Sequence, residues 1–408
     1  MSRRRVVITG IGMVTPLGAG VRRTWEGAVA GRSAVGRITR FDPTSFPVTF
    51  AAEAADPLPD EQCIPAAMLE TVTDLKGRLA LAAVSEALAM ARWTQGGPRV
   101  GVCVGSEAER PSLHDLARRL RTGLLPTATE LQALAPAAPT ALAATLSGAT
   151  GPASTVSTAC TSSSQAVGEG LLRIRRGEVD AMIVGGVDVL VDPIMVTGFA
   201  LLGALSTRNH APQQASRPFD SDRDGFVLGE GAGFLVLEEL GRAEARGVEP
   251  LGELTGYGCS CNAYRITDSP PDGRGAAQAM TWALEDAGLQ PQDIGYINAH
   301  GTSTPMNDAS ETAGIHRAFG EQGRKVPVSS TKSMMGHLVA ACGAVEAILA
   351  LLAVREGLLP PTIILERPDP VCALNHVANV AQSARIKHAL TNAFGFGGSN
   401  GSLVVSAL

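Results

Sequence analysis

The sequence predicts an α/β fold. Continuous apolar runs of strand length recur along the chain, as expected of strands buried on both faces. Amphipathic helical patterns separate them. At 408 residues the chain exceeds one typical core, so two domains or one large double-layered body are expected.

The first strand is read at 5–9, where Arg3-Arg4-Arg5 leads into Val6-Val7-Ile8-Thr9. Gly10, Gly12 and Pro16 interrupt the apolar part and no small-residue cleavage site follows, which argues against a secretory signal. Further strands are read at 100–104, 181–184, 233–238, 294–298, 326–329 and 402–406. Helices are read at 21–31, 76–92, 164–176, 274–287, 308–318 and 342–356. The stretch 107–140, rich in Ala, Leu, Thr and Pro, reads as an insertion or an interface excursion.

Two segments resemble each other. A small-residue strand near 156 leads through Ser/Thr residues into Ala166-Val167-Gly168-Glu169-Gly170-Leu171-Leu172 and ends in Arg175-Arg176-Gly177. A strand near 326 leads through Ser329-Ser330-Thr331-Lys332 into Gly343-Ala344-Val345-Glu346-Ala347-Ile348-Leu349 and ends in Arg355-Glu356-Gly357. This suggests two related halves with a seam near 240–252.

Composition excludes several classes. The net charge of −5 and the lack of a long basic run point away from nucleic acid and anionic membranes. No run of 18 apolar residues predicts a membrane span. Seven scattered cysteines suit reduced thiols in the cytoplasm. Cys259-Ser260-Cys261 has no second pair and the wrong spacing for zinc, so no metal is expected. Gly10-Ile11-Gly12 lacks the third glycine of a dinucleotide loop and reads as a turn. Gly225 to Gly233 lacks the Lys-Ser/Thr of a phosphate loop and reads as tight turns beneath a nucleophile.

The candidate nucleophile is Cys160, in Val156-Ser157-Thr158-Ala159-Cys160-Thr161-Ser162. A cysteine between a strand and a helix start meets unpaired backbone N–H groups and the positive end of the helix dipole, which favour the thiolate. His300 follows an apolar segment in Asn298-Ala299-His300-Gly301-Thr302-Ser303-Thr304-Pro305, and His337 closes Lys332-Ser333-Met334-Met335-Gly336-His337. Hydrolytic dyads use one histidine oriented by Asp or Asn. Two neutral imidazoles suit different chemistry, in which both donate N–H bonds to a thioester carbonyl where enolate charge develops.

These motifs resemble those of the elongating β-ketoacyl-acyl carrier protein synthases, with some features of type II polyketide ketosynthases. The tail Asn392-Ala393-Phe394-Gly395-Phe396-Gly397-Gly398-Ser399-Asn400-Gly401, the start Val6 to Gly12 and Ser216-Arg217-Pro218-Phe219-Asp220 add to the likeness, which runs in order over nearly the whole chain. The resemblance implies a thiolase-like fold, five-layered αβαβα, from two pseudo-duplicated halves: 1–250 carrying the cysteine and 251–408 carrying the histidines. It implies that Cys160 holds the growing acyl chain, and that His300 and His337 stabilise the enolate left when malonyl-acyl carrier protein loses carbon dioxide. The N–H groups of Cys160 and Phe396 would form the oxyanion hole, with Phe396 as a gate. Lys332, paired with Glu346, would hold the histidines, with Asp308 as a further support. Thr302 and Thr304 would bond the phosphopantetheine arm, and Ala108, Phe199 and Thr267 would complete the substrate site. The implied partners are acyl carrier protein and a second subunit, either the same chain or a chain-length-factor homologue. No cofactor is implied beyond the carrier's phosphopantetheine.

Departures from the family pattern bear on the pathway. Housekeeping members usually carry Gly-Ser-Gly-Ile-Gly-Gly beside the acyl pocket. Here the segment reads Gly105-Ser106-Glu107-Ala108-Glu109-Arg110, and Ala108 would open room for another chain. Asn307-Asp308-Ala309-Ser310-Glu311-Thr312 resembles aromatic polyketide ketosynthases, whereas Gly398 to Gly401 resembles fatty-acid enzymes. Asn262 and Arg265 stand where fatty-acid members often have Asp and His. The mixture favours a specialised type II polyketide or polyene pathway, with housekeeping fatty-acid elongation as the alternative. A thiolase would need a second cysteine near the C-terminus, priming enzymes pair Cys with His and Asn, and a non-catalytic chain-length partner would lack Cys160.

Overall fold

The computed structural model describes residues 3–54, 64–109 and 113–408. Cys63 and Arg110 lie outside the described residues.

Among the described residues, ten of the twelve strands of the main sheet system form two runs of five. The first run comprises Val6–Thr15, Val100–Gly105, Ala153–Val156, Ala181–Asp188 and Gly231–Glu239; numbered along the chain, they lie side by side in the order 3-2-4-5-1. The second comprises Gly252–Cys261, Tyr296–Asn298, Pro327–Ser329, His388–Phe394 and Ser399–Ser406, and repeats that order. Pairing sense repeats as well. Strands 3-2 and 2-4 are parallel, and 4-5 and 5-1 antiparallel, in both runs. The two sheets meet at one corner, where Val7 and Ile8 pair with Glu253 and Gly252.

Helices Ser162–Arg175 and Cys342–Glu356 pack against each other and against strands of both sheets. They form the middle layer. Helix Leu75–Met90 covers the outer face of the first sheet, and helices Arg274–Ala287 and Pro305–Phe319 lie over the second. The result is the five-layered αβαβα arrangement of a thiolase-like fold. Cys342 to Val354 are all buried, which explains why that helix is apolar around its whole circumference.

Two of these ten strands escape sequence reading. Gly252–Cys261 reads Gly-Glu-Leu-Thr-Gly-Tyr-Gly and carries too few apolar residues to mark it, although its burial alternates. His388–Phe394 has polar Thr391 and Asn392 in its centre. The strand read near 156 is the short edge strand Ala153–Val156. Gly10 and Gly12 are not in a turn but within Val6–Thr15. A Cβ there would lie 2.1 Å from Ala87 O and 2.0 Å from Ala83 O, because the backbone of helix Leu75–Met90 rests on the strand. Gly256 and Gly258 meet Ala283 O and Ala279 O of helix Arg274–Ala287 in the same way. The 107–140 stretch contains helices Leu113–Thr122 and Ala128–Leu134, which expose Leu116, Leu120, Leu124, Leu125 and Leu131 on and between them. Among the described residues, no helix is long and apolar enough to cross a membrane.

Candidate active site

Cys160 sits in a single 3₁₀ turn, Ala159–Thr161, at the head of central helix Ser162–Arg175. His300 lies just beyond strand Tyr296–Asn298 of the second sheet. His337 precedes the 3₁₀ turn Val339–Ala341 at the head of the other central helix. The middle layer therefore brings residues 177 positions apart into contact: His337 Nε2 is 2.9 Å from Cys160 Sγ. The rings of His300 and His337 meet edge to face, with centroids 5.3 Å apart. One ring nitrogen of each histidine and the Cys160 sulfur lie within 4.8 Å of one another.

Local backbone geometry sets the tautomer of His337. Val339 has φ 44, a left-handed conformation that a β-branched residue adopts only when its surroundings impose it. Its N–H donates to His337 Nδ1 at 3.3 Å, which leaves the ring proton on Nε2, facing the sulfur. Among the described residues, the buried Nδ1 of His300 has no partner. Its backbone N–H and that of Gly301 donate to the carboxylate of Glu311 at 2.8 and 2.7 Å. Asn392 Nδ2 donates to the same carboxylate at 3.2 Å. Glu311 thus anchors the histidine's loop, a part that sequence reading did not assign; its only signal is the Asn307 to Thr312 pattern.

Buried Lys332 donates to buried Glu346. Burial works against the ammonium, but Glu346 outweighs it and holds Lys332 protonated. Both imidazoles are pushed well below their ordinary range, first by burial and then by the charge of Lys332, so both are neutral. In the unfolded chain they would take up protons below about pH 6.5, whereas in the fold they do not. At these two sites the unfolded state then binds more protons, so their contribution to stability falls as pH drops through that value. We expect the thermal midpoint of His300→Gln to respond less unfavourably than that of the wild type as pH drops from about 7 to about 5.5. Equal slopes for wild type and variant would show that His300 is not buried as a neutral ring.

The sulfur's state differs from the sequence expectation of a favoured thiolate. Burial pushes the Cys160 thiol up to about 12, opposed by Lys332 and by the backbone N–H groups of Phe396 and Cys160. The single turn supplies donors, but the thiol of a residue only 7% exposed loses more by leaving water. Gly395 lies close against this turn: a Cβ there would stand 3.0 Å from Thr158 O and 3.3 Å from Cys160 N. Gly397, at φ 85, donates its N–H to Ile266 O at 2.6 Å, tying the loop of Phe396 to the loop of Thr267.

A cavity of about 210 Å³ opens onto the cysteine and both histidines. Phe199, Thr267, Thr302, Thr304 and Phe396 line it. Phe199 packs on Phe226 and Phe396, with centroids 5.4 and 6.5 Å away. The hydroxyls of Thr302 and Thr304 are 2.9 Å apart. Asp308 stands behind this wall, buried, and accepts the Phe219 N–H at 2.8 Å. Ala108 is the exception: it is exposed and not part of the cavity lining, because the segment after Val100–Gly105 runs outward to the chain's surface. The Gly225 to Gly233 segment also lies elsewhere than expected. It runs beside His337, whose N–H donates to Val227 O at 2.7 Å, rather than beneath Cys160.

The β-ketoacyl synthase N-terminal domain model matches residues 3–243, and its C-terminal domain model matches residues 251–366. The chain belongs to the β-ketoacyl synthase family. It is 40% identical to a 3-oxoacyl-[acyl-carrier-protein] synthase 2 of Synechocystis sp., over 99% of this chain and 98% of the relative. Among solved structures, the ishigamide ketosynthase/chain length factor is 35% identical, with a TM-score of 0.90 and full coverage of both chains. A type II polyketide synthase acyl-carrier protein in complex with its ketosynthase, bound to the hexaketide, gives 31% identity, a TM-score of 0.87 and full coverage of both chains. This β-ketoacyl synthase is therefore like both fatty-acid and polyketide condensing enzymes over its whole length.

Proposed function

We propose that this β-ketoacyl synthase joins an acyl chain held on Cys160 to malonyl-acyl carrier protein by decarboxylative Claisen condensation. The observation that carries the assignment of roles is the 2.9 Å approach of His337 Nε2 to Cys160 Sγ, beside the backbone N–H groups of Phe396 and Cys160 that act against burial of the thiolate. In the first half-reaction Cys160 attacks the acyl thioester. The thiol proton ends on the departing pantetheine sulfur, and the acyl group on Sγ. In the second, the malonyl C–C bond breaks, carbon dioxide leaves, and its electron pair forms an enolate. Neutral ring N–H groups of His300 and His337 stabilise the enolate oxygen. The enolate carbon attacks the acyl carbonyl, and the oxyanion forms in the hole of Cys160 N–H and Phe396 N–H. Collapse expels the Cys160 thiolate, which is reprotonated, and releases β-ketoacyl-acyl carrier protein. The electrons come from the bond lost with carbon dioxide, so the reaction requires no cofactor of the enzyme's own.

Lys332 acts as a positioning cation, steadied by Glu346. Thr302 and Thr304 receive the pantetheine arm; Phe199 and Thr267 flank its path, and Phe396 gates the sulfur. The same strand order before and after the loop near 246–251 supports two duplicated halves, 1–250 and 251–408. Edge strand Ala153–Val156, with the exposed leucines of 113–134, offers the face for a second subunit. Ala108 would influence chain length only from that face. A thiol that must stay reduced suits the cytoplasm.

For the pathway we favour a specialised type II polyketide or polyene route. The Glu107 and Asn307 to Thr312 departures and the likeness to the ishigamide ketosynthase support it. The 40% identity to a synthase 2 enzyme and the Gly398 to Gly401 tail favour the housekeeping alternative. Reconstitution with malonyl-carrier protein and a panel of acyl- and polyenoyl-carrier proteins tests both. Elongation of polyenoyl chains at least tenfold faster than saturated ones is expected; equal or reversed preference would overturn the specialised reading.

A further inference from the structure

Glu107 has no part in the chemistry above, yet it touches the turn that performs it. Strand Val100–Gly105 ends, the Ser106 N–H donates to Val156 O at 3.0 Å, and the Glu107 carboxylate then reaches under the nucleophile's turn. Its Oε2 accepts the Ser157 hydroxyl at 2.7 Å, and its Oε1 accepts the Ala159 N–H at 3.0 Å. The Ser162 hydroxyl stands 3.3 Å from Oε1, but its single proton has a shorter acceptor in Ala159 O at 2.6 Å. The backbone carbonyl of Glu107 accepts from Lys76, whose side chain is buried. The residue is thus held at its main chain and grips the turn with its side chain.

What it grips matters because Ala159 has φ 51. A residue with a Cβ stays in the left-handed region only where neighbours over-determine it. Glu107 fixes the N–H side of Ala159 and Ser162 fixes its carbonyl. The next N–H along the chain is that of Cys160, one of the two that favour charge on the sulfur. We infer that Glu107 is a positioning residue: by clamping the Ala159 N–H, it aims the Cys160 N–H into the oxyanion hole. Among the described residues, Ala159 N–H has no other acceptor assigned to it, so removing the carboxylate frees that peptide to turn.

This role rests on Cys160 being acylated as proposed above, and the experiment separates the two. Three rates are measured on the full chain: acyl transfer to Cys160 by intact mass, malonyl-carrier decarboxylation, and alkylation of Cys160 by iodoacetamide. Alkylation generates no oxyanion. Glu107→Ala is expected to slow acyl transfer about 10- to 100-fold, less than the roughly 10²- to 10³-fold cost of deleting a hole donor outright. Decarboxylation and alkylation should stay within about twofold, since neither uses that N–H as an oxyanion donor. Glu107→Gln keeps an acceptor for the Ala159 N–H and should restore acyl transfer. Should Glu107→Ala not fold, Ser157→Ala carries the test, with a smaller loss confined to acyl transfer. Unchanged acyl transfer in Glu107→Ala, an equal fall in all three rates, or Gln no better than Ala would each overturn the inference. A wild-type enzyme that takes no acyl group on Cys160 would instead overturn the condensation roles themselves.

Discussion

Replacing Cys160 by alanine is expected to lower condensation by about four orders of magnitude or more, the scale set by loss of a covalent nucleophile. Among the described residues, Cys160 is the one cysteine that lines the cavity. Cys342, whose Sγ donates to the Cys160 carbonyl at 3.2 Å, is buried, and burial pushes its thiol well above the ordinary range. Intact-mass analysis after incubation with acyl-carrier protein should show a single acyl adduct on the wild type and none on Cys160→Ala. Malonyl decarboxylation should persist in the variant, because the histidines and not the sulfur face the developing enolate. An acyl adduct surviving on Cys160→Ala would remove the nucleophile from its assigned place.

The histidines give the second large effect, in the opposite half-reaction. His300→Ala or His337→Ala is expected to slow malonyl decarboxylation about 10²- to 10⁴-fold. Enolate charge appears only as the C–C bond breaks, so these N–H bonds act mainly in the transition state. Acyl loading should fall much less, because its oxyanion is served by the N–H groups of Cys160 and Phe396. The double variant should lose less than the product of the single losses, since the rings touch and share one oxygen as their target. Single-turnover measurement of carbon dioxide release and of acyl-enzyme formation separates the two effects. Poor loading with normal decarboxylation in either variant would reverse the roles.

Much of the site is legible in the sequence because each part lies in a short motif whose residues serve local needs. Cys160 must follow a strand and open a helix. His337 must stand just before another helix head. Gly395 must lack a side chain to lie against the backbone of the Cys160 turn. Glu311 was less visible, since it acts by accepting two backbone N–H bonds from a loop ten residues away, and nothing in its own helix marks that. That Ala108 lies outside the cavity lining is illegible in the sequence for a related reason. Its motif shows what it replaces, but not which way the chain runs after Gly105.

By itself the sequence determined the α/β class and pointed to Cys160, His300 and His337, because apolar periodicity and turn chemistry are properties of neighbouring residues; the place of Lys332 followed from the family resemblance. Tertiary structure alone decided how these parts act on one another. The heads of two buried central helices bring His337 to Cys160, and desolvation at that meeting point raises the thiol instead of ionising it. Desolvation is a sum over everything packed around a group, including chain hundreds of residues away. No local motif carries that sum, and for the same reason none shows that Glu107 reaches the turn of Cys160 from the end of another strand.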